Sequence, residues 1–459
     1  METVKKAGRI EGDLTQGPVF QSLLLFVGPI IAANLIQQLY SLVDLMVIGH
    51  YMGSAGTVGV STGGEISDML TPVATAFGAA GQIYIGQLAG AREHKKLKQA
   101  IGTLISIMVI GSLLFTAITI LFRGKILSLI NCPQEAFIQA DNYMVLTALG
   151  FPFIFGYNAV AGVLRGLGES KRPMIFIIIA AVVNIFLDIL LVGPFRMEAA
   201  GTAIATSISQ FASFFAALVY MSKKKERFEF EWKPSYFRIH REAAEVIFSL
   251  GVPQAIRSLL VRVSMLYVNA GVNSYGLVES ATNSVGNKLQ KFLEVYTSSF
   301  SQAGSAMVAQ NLGAKKHDRA SRTIWYSFYI CTALAAITSV VVLLFPHQIF
   351  GIFTKDQSVQ EMGGVYLKIL VIHLFLSALT STFQAMVIGS GFASLNFAIG
   401  ILDGVVFKVG LALVLVHGFG LGVYGYWWGT AFSRLVPGMI CLCYFLSGKW
   451  KIRKLLSER

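Results

Sequence analysis

Twelve apolar runs follow one another along this chain, at roughly residues 18–48, 55–89, 97–122, 136–164, 172–193, 199–221, 243–271, 278–311, 323–346, 360–389, 394–417 and 423–447. Each is long enough to cross about 30 Å of hydrocarbon. In lipid a segment must satisfy its own backbone hydrogen bonds, so runs of this length and apolarity span as helices. The expected class is an all-α integral membrane protein. Mean hydropathy is +0.64 and 13% of residues are charged, about half the share of a soluble domain.

A second feature orders the runs. Residues 81–94 return in degraded form at 304–317, an offset of 223, close to half of the 459 residues. The same offset pairs Gly28 with Gly251, Gly53 with Gly276, Gly166 with Gly389 and Gly168 with Gly391. A constant offset at five places indicates two copies of one unit. Six runs per copy return the chain to its starting side. The expectation is twelve transmembrane helices in two six-helix bundles, related by a pseudo-two-fold axis along the membrane normal. The lobes would be 1–221 and 242–459, the latter with a basic cytoplasmic tail, joined by a cytoplasmic linker at 222–241. Duplication of this kind suits transport by alternating access, so a channel or receptor fits poorly.

The net charge of +13 is spread in a way that argues against nucleic acid. Basic residues crowd the loops on the side of the amino terminus, such as Arg92, Lys95, Lys96 and Lys98, or Lys315, Lys316, Arg319 and Arg322. The opposite loops hold Arg123, Lys125, Arg196 and Lys355. This bias places both termini in the cytoplasm and the protein, as a multi-pass chain, in the cell membrane. Residues 1–17 are polar and the first run is full length, so no cleavable leader is expected. The four cysteines are scattered and read as packing residues rather than disulfides or metal ligands. The linker interleaves charges with Phe and Trp and reads as lying at headgroup depth, as does the tail at 449–459. His94 and His317 read as solvated loop residues inherited with the repeat.

Charged and polar groups inside the spans carry the chemistry. Asp44 lies in the first span. Asn184 and Asp188 lie four apart, on one face of the fifth. Thr202 and Thr206 are four apart in the sixth. A carboxylate, an amide and a hydroxyl from neighbouring helices suit a proton, or a Na⁺ ion held by Asp44, Asn184 and Asp188 through oxygen ligands. A structural polar knot is the competing reading. Gly28-Pro29 interrupts the first helix, since Pro29 has no N–H to donate. No Walker motif, metal cluster or nucleophile with a base is evident, so neither ATP, a cofactor nor a membrane-embedded enzyme is expected.

These residues also carry a resemblance. The chain resembles a multidrug and toxic compound extrusion (MATE) transporter over nearly its full length. The resemblance rests on Pro29 and Val43-Asp44, Gln87…Gly90-Ala91, Gln310-Asn311-Leu312-Gly313-Ala314, Arg165-Gly166-Leu167-Gly168, Asn184…Asp188 and Gly201-Thr202-Ala203-Ile204-Ala205-Thr206. It implies a V of two bundles that exports amphiphilic, often cationic, compounds in exchange for H⁺ or Na⁺, acting as a monomer in the lipid. It carries the coupling site onto Asp44, Asn184, Asp188 and Thr206, and the cavity onto Pro29, Gln37, Tyr40, Tyr143 and Asn158. With no membrane carboxylate evident in the seventh span, it favours the branch coupled through the amino lobe (DinF-like).

Pairing the halves also exposes an inversion of charge. Glu65 and Asp68 align with Lys288 and Lys291, each pair on one helix face. One reading is an electrostatic latch between lobes, testable by a charge swap; the other is four residues snorkelling separately. Arg257 and Arg262 in span seven, with Lys408 and Arg434 in spans eleven and twelve, face fewer acids, chiefly Glu294 and Asp403. That lining admits an anionic metabolite as substrate, and the same feature keeps a flippase for a lipid-linked saccharide as an alternative. The plainer reading pairs Arg257 or Arg262 with Glu294.

Overall fold

A computed structural model describes residues 12–224 and 233–458, except Gly53. Their regular structure is entirely helical. Six long helices come first: α1 (Val19–Tyr51), α2 (Ser54–Ala91), α3 (His94–Leu129), α4 (Phe137–Gly166), α5 (Lys171–Val192) and α6 (Glu198–Lys223). After the linker come α7 (Arg241–Asn273), α8 (Leu277–Leu293), α9 (Val295–Gly313), α10 (His317–Leu344), the short α11 (Pro346–Gly351) and α12 (Gln357–Gly389). The chain ends with α13 (Ala393–Ile401), α14 (Val423–Phe432) and α15 (Leu435–Leu446). Among the described residues ten helical segments have the length and apolarity to cross a membrane, which makes this a multi-pass membrane protein.

Two spans read as continuous from hydropathy are interrupted. The run at 278–311 breaks at Glu294, between α8 and α9, and the run at 423–447 breaks at Ser433-Arg434, between α14 and α15. A third departure follows α13, whose helix continues as π-helical turns over Leu402–Leu411 and Val414–Gly418. Periodicity cannot announce such breaks, because the apolar composition runs straight through them.

Packing divides the chain into two compact units. Unit 1 holds Gly28–Val252 and unit 2 holds Thr15–Val27 with Pro253–Glu458. In unit 1, α4 packs against α2, α3 and α6, and α5 packs on α6. Small residues permit this: a Cβ at Gly162 of α4 would press on the Gly78 carbonyl oxygen of α2. In unit 2, α12 is the central helix, touching α8, α9, α10, α14 and α15. Its Leu367, Leu370 and Leu374 lie in one apolar core and Phe383 in another.

The linker residues 225–232 lie outside the described residues, as does the Gly53 half of one repeat pair. Beyond them, Pro234–Phe237 docks on α3, where Ser106 Oγ donates to the Phe237 carbonyl at 2.6 Å. The tail at 449–459 keeps Lys449, Lys451, Ile452 and Lys454 exposed but packs part of itself into the bundle. Trp450 is buried among Phe445, Phe383 and Leu455, and its Nε1 donates to the Phe445 carbonyl at 2.8 Å. The positive-φ Gly448 turns the chain back onto the bundle.

Candidate functional site

The amino-lobe residues converge within unit 1. Asp44 of α1 and Asp188 of α5 present their carboxyl groups to each other within hydrogen-bonding reach. Asp188 is 1% exposed and Asn184, one turn earlier on the same helix, 3%. Both Asp188 oxygens, Asp44 Oδ1 and Asn184 Oδ1 are buried with no hydrogen-bond donor among the described residues. As two carboxylates, the aspartates have no proton to offer one another and repel. A proton or a small cation between them removes the repulsion. Oxygen-only donors suit a hard cation such as Na⁺.

The surrounding residues vary in how closely they join this pair. The Tyr143 hydroxyl feels Asp44, Asp188, Asp68 and Tyr40, and Tyr40 in turn has Gln37 and Asp44 as neighbours. Neither Thr202 nor Thr206 donates to the carboxylates: the Thr202 hydroxyl bonds back to the Ala199 carbonyl at 3.0 Å. Asn158 serves helix packing, donating to the Ile154 carbonyl at 2.8 Å and accepting from Thr75 Oγ1 at 3.4 Å. Pro29 sits inside α1, which remains helical through it. Glu65 and Asp68 belong to unit 1, while Lys288 and Lys291 are exposed residues of unit 2.

Unit 2 holds a second polar cluster. Glu294, at the α8–α9 break, does not pair with Arg257 or Arg262. Its Oε1 lies 3.3 Å from Arg434 Nη2 and 2.8 Å from His373 Nε2, and accepts from Ser377 Oγ at 2.9 Å. Arg434 Nη1 also donates to Ser377 Oγ at 2.8 Å. Arg257 donates instead to Gln384 Oε1 at 3.3 Å. The carboxylate and the guanidinium that meet here are thus each placed at a helix interruption. The Arg434 carbonyl accepts from Thr380 Oγ1 at 2.8 Å as well as from the Gly438 N–H at 2.9 Å.

His373, Ser377 and Gln290 were not singled out from sequence, yet a signal was there. Asn283, Asn287, Gln290 and Glu294 stand at successive spacings of four, three and four, and so do His373, Ser377, Thr380 and Gln384. Each set forms one stripe along a helix in an apolar span. The stripes meet through Gln290 with His373 and through Glu294 with His373 and Ser377.

A family model described as MatE matches residues 29–190 and 253–429. Among curated proteins, the chain is 28% identical over 432 residues to "Probable multidrug resistance protein YoeA" of Bacillus subtilis (strain 168), covering 93% of each chain. It is 23% identical over 426 residues to "Multidrug export protein MepA" of Staphylococcus aureus (strain N315), covering 93% of this chain and 92% of that one. Two solved structures share the fold. An outward-facing multidrug resistance MATE family transporter of the MOP superfamily superposes with a TM-score of 0.91 at 19% identity, over 96% of this chain and 99% of that one. A MOP superfamily transporter from Pyrococcus furiosus, described as having a binding pocket of reverse polarity, gives 0.90 at 19% identity, over 97% and 99%.

Proposed function

Since this chain belongs to the MatE family of transporters, we propose that it is a multidrug exporter, a secondary antiporter that moves small amphiphilic molecules out of the cell in exchange for H⁺ or Na⁺. The observation that carries the reading is the Asp44–Asp188 pair with Asn184, whose buried oxygens await a donor. A group that must take up and release one positive charge is what gradient coupling requires. Tyr143, Tyr40 and Gln37 border that pair and form the substrate side of the site, near Pro29.

Twelve spans in two symmetric six-helix bundles, working by alternating access with both termini cytoplasmic, complete the proposal. Repeated backbone geometry supports the duplication. Arg92 and Lys315, 223 apart, both take φ near +60° (59° and 57°), and Gly168 and Gly391 both take positive φ (82° and 72°). The caps match bond for bond: Glu93 N to the Leu88 carbonyl and Lys316 N to that of Asn311, then Glu169 N to Leu164 and Phe392 N to Val387. The chain acts as a monomer, and the opposed charges of Glu65/Asp68 and Lys288/Lys291 are assigned to the conformational cycle. A second reading, export of an anionic metabolite, draws support from the excess of buried cations in unit 2.

Proteoliposomes with imposed Na⁺ or H⁺ gradients test the coupling site. Asp44→Asn and Asp188→Asn should each abolish gradient-driven export while leaving the chain folded by size exclusion. Gradient-driven export retained in both variants would remove the pair from the mechanism.

A further inference from the structure

Unit 2 holds a cavity of about 20 Å³ whose polar lining is Asn269, Asn283, Asn287, Gln290, His373 and Thr430. A buried water needs about 10–15 Å³ and two to four polar partners. The space therefore admits one water or one monatomic ion and nothing larger. Its wall is fixed by its own bonds. Asn283 Nδ2 and Asn287 Nδ2 donate to Asn269 Oδ1 at 2.8 and 3.0 Å, and Trp427 Nε1 donates to Asn283 Oδ1 at 3.2 Å. Each of the two donating carboxamides keeps a second hydrogen, and the Asn287 oxygen accepts none of these bonds.

His373 is the lining residue whose needs the protein does not meet. It is 2% exposed, and its two ring nitrogens differ. Nε2 lies 2.8 Å from Glu294 Oε1, whereas Nδ1 is buried with no hydrogen-bond partner among the described residues. Glu294 also accepts from Ser377 Oγ and faces the Arg434 guanidinium. It is thus the carboxylate, and the hydrogen between it and Nε2 belongs to the imidazole. The Gln290 carboxamide lies 2.9 Å from the same Nε2. A donor cannot face a donor, so Gln290 presents its oxygen there and turns its NH2 group to the Tyr366 hydroxyl, 3.3 Å away. With both neighbours served at Nε2, Nδ1 is left as a buried acceptor on the wall of a polar cavity, and a buried acceptor requires a donor.

We propose that the cavity is the binding site of a single water molecule, which donates to His373 Nδ1 and bonds the carboxamide wall with its remaining groups. Charge and polarity decide against an ion of similar size. Arg257, Lys408 and Arg434 act on Glu294 and Asp403 in this unit, three cations against two carboxylates, so a Na⁺ ion meets an excess of its own sign. A halide needs donors on every side, and Nδ1 offers it a lone pair. Water both donates and accepts. Held by water at Nδ1 and by Glu294 at Nε2, the imidazole is fixed in one tautomer. His373 is then the positioning residue for the carboxylate at the α8–α9 break. The site stands on unit 2 alone and does not rest on the transport reading.

Crystals of the full chain that diffract well enough to show ordered water elsewhere decide the occupant without any variant. A density peak should stand about 2.7–3.2 Å from His373 Nδ1. It should persist, with no anomalous signal, when thallium replaces sodium and bromide replaces chloride in the crystals. An anomalous peak at that position would make the occupant an ion, and a cavity without density would make it dry; either result overturns the proposal. The tautomer is read separately, by nitrogen NMR of the histidine-labelled chain in bilayers, with the His373 signals identified by their loss in His373→Phe. Nε2 should be protonated, and Nδ1 should be unprotonated and shifted by a hydrogen bond. Any other protonation pattern, or an Nδ1 signal at the position of a free imine-type nitrogen, would count equally against it. In His373→Phe the density peak should be lost, and its persistence would strike His373 from the site.

Discussion

Asp188, Glu294 and Lys408 are three ionisable residues inside apolar spans, and they differ in what meets them. Asp188 faces another carboxyl group, Lys408 a thioether, and Glu294 a full set of donors. Glu294 therefore belongs with Arg434 as structure. Removing one member of a buried pair leaves the other charge unpaired, at a cost of about 3 kcal/mol, whereas replacing both by apolar groups is often close to neutral. Glu294→Gln or Arg434→Met alone should lower the unfolding midpoint in detergent, and Glu294→Leu with Arg434→Met should recover most of the loss. A double variant as unstable as the sum of the singles would mean that the pair is not what holds these residues. The sequence disclosed the residue types but not the partners. Arg257 seemed as good a mate for Glu294 as Arg434, because partner choice depends on which helix faces which.

At the scale of elements, hydropathy located the spans closely and missed their interruptions. α8 and α9 meet at Glu294, α14 and α15 at Arg434, and the π-helical turns begin beside Asp403. In each case an apolar run conceals a backbone departure that carries a charged side chain. A local sequence window sees composition, whereas the groups at the interruption also answer to other helices, as where Thr380 Oγ1 donates to the Arg434 carbonyl. The α2–α4 crossing shows the same dependence in its packing. A Cβ at Gly162 would press on the Gly78 carbonyl, so Gly162→Ala should destabilise the chain by about 1–3 kcal/mol. The readout is the thermal midpoint in detergent, and an unchanged midpoint would mean the crossing has slack.

At the scale of the whole molecule, the duplication and the loop charges make claims that can be checked in a membrane. If basic loops face the cytoplasm, Lys95→Cys should react with an impermeant thiol reagent only in inside-out vesicles, and Lys355→Cys only in intact cells. Cys132 and Cys443 would first be replaced by alanine, and the reverse pattern would invert the assigned orientation. The offset of 223 was legible because helix caps need particular backbone conformations, and Arg92/Lys315 and Gly168/Gly391 still adopt them. By itself the sequence determined the all-helical membrane class and the family resemblance, and it singled out Asp44 and Asp188 as a candidate site. Those follow from local composition and spacing, which lipid translates directly into helices. Only the tertiary structure decided that Glu294 binds Arg434 and His373, that Trp450 of the tail is buried, and that Lys408 meets the Met265 thioether. Those outcomes depend on contacts between residues far apart in the chain, and the energy of a buried charge is fixed by whatever packing brings to it.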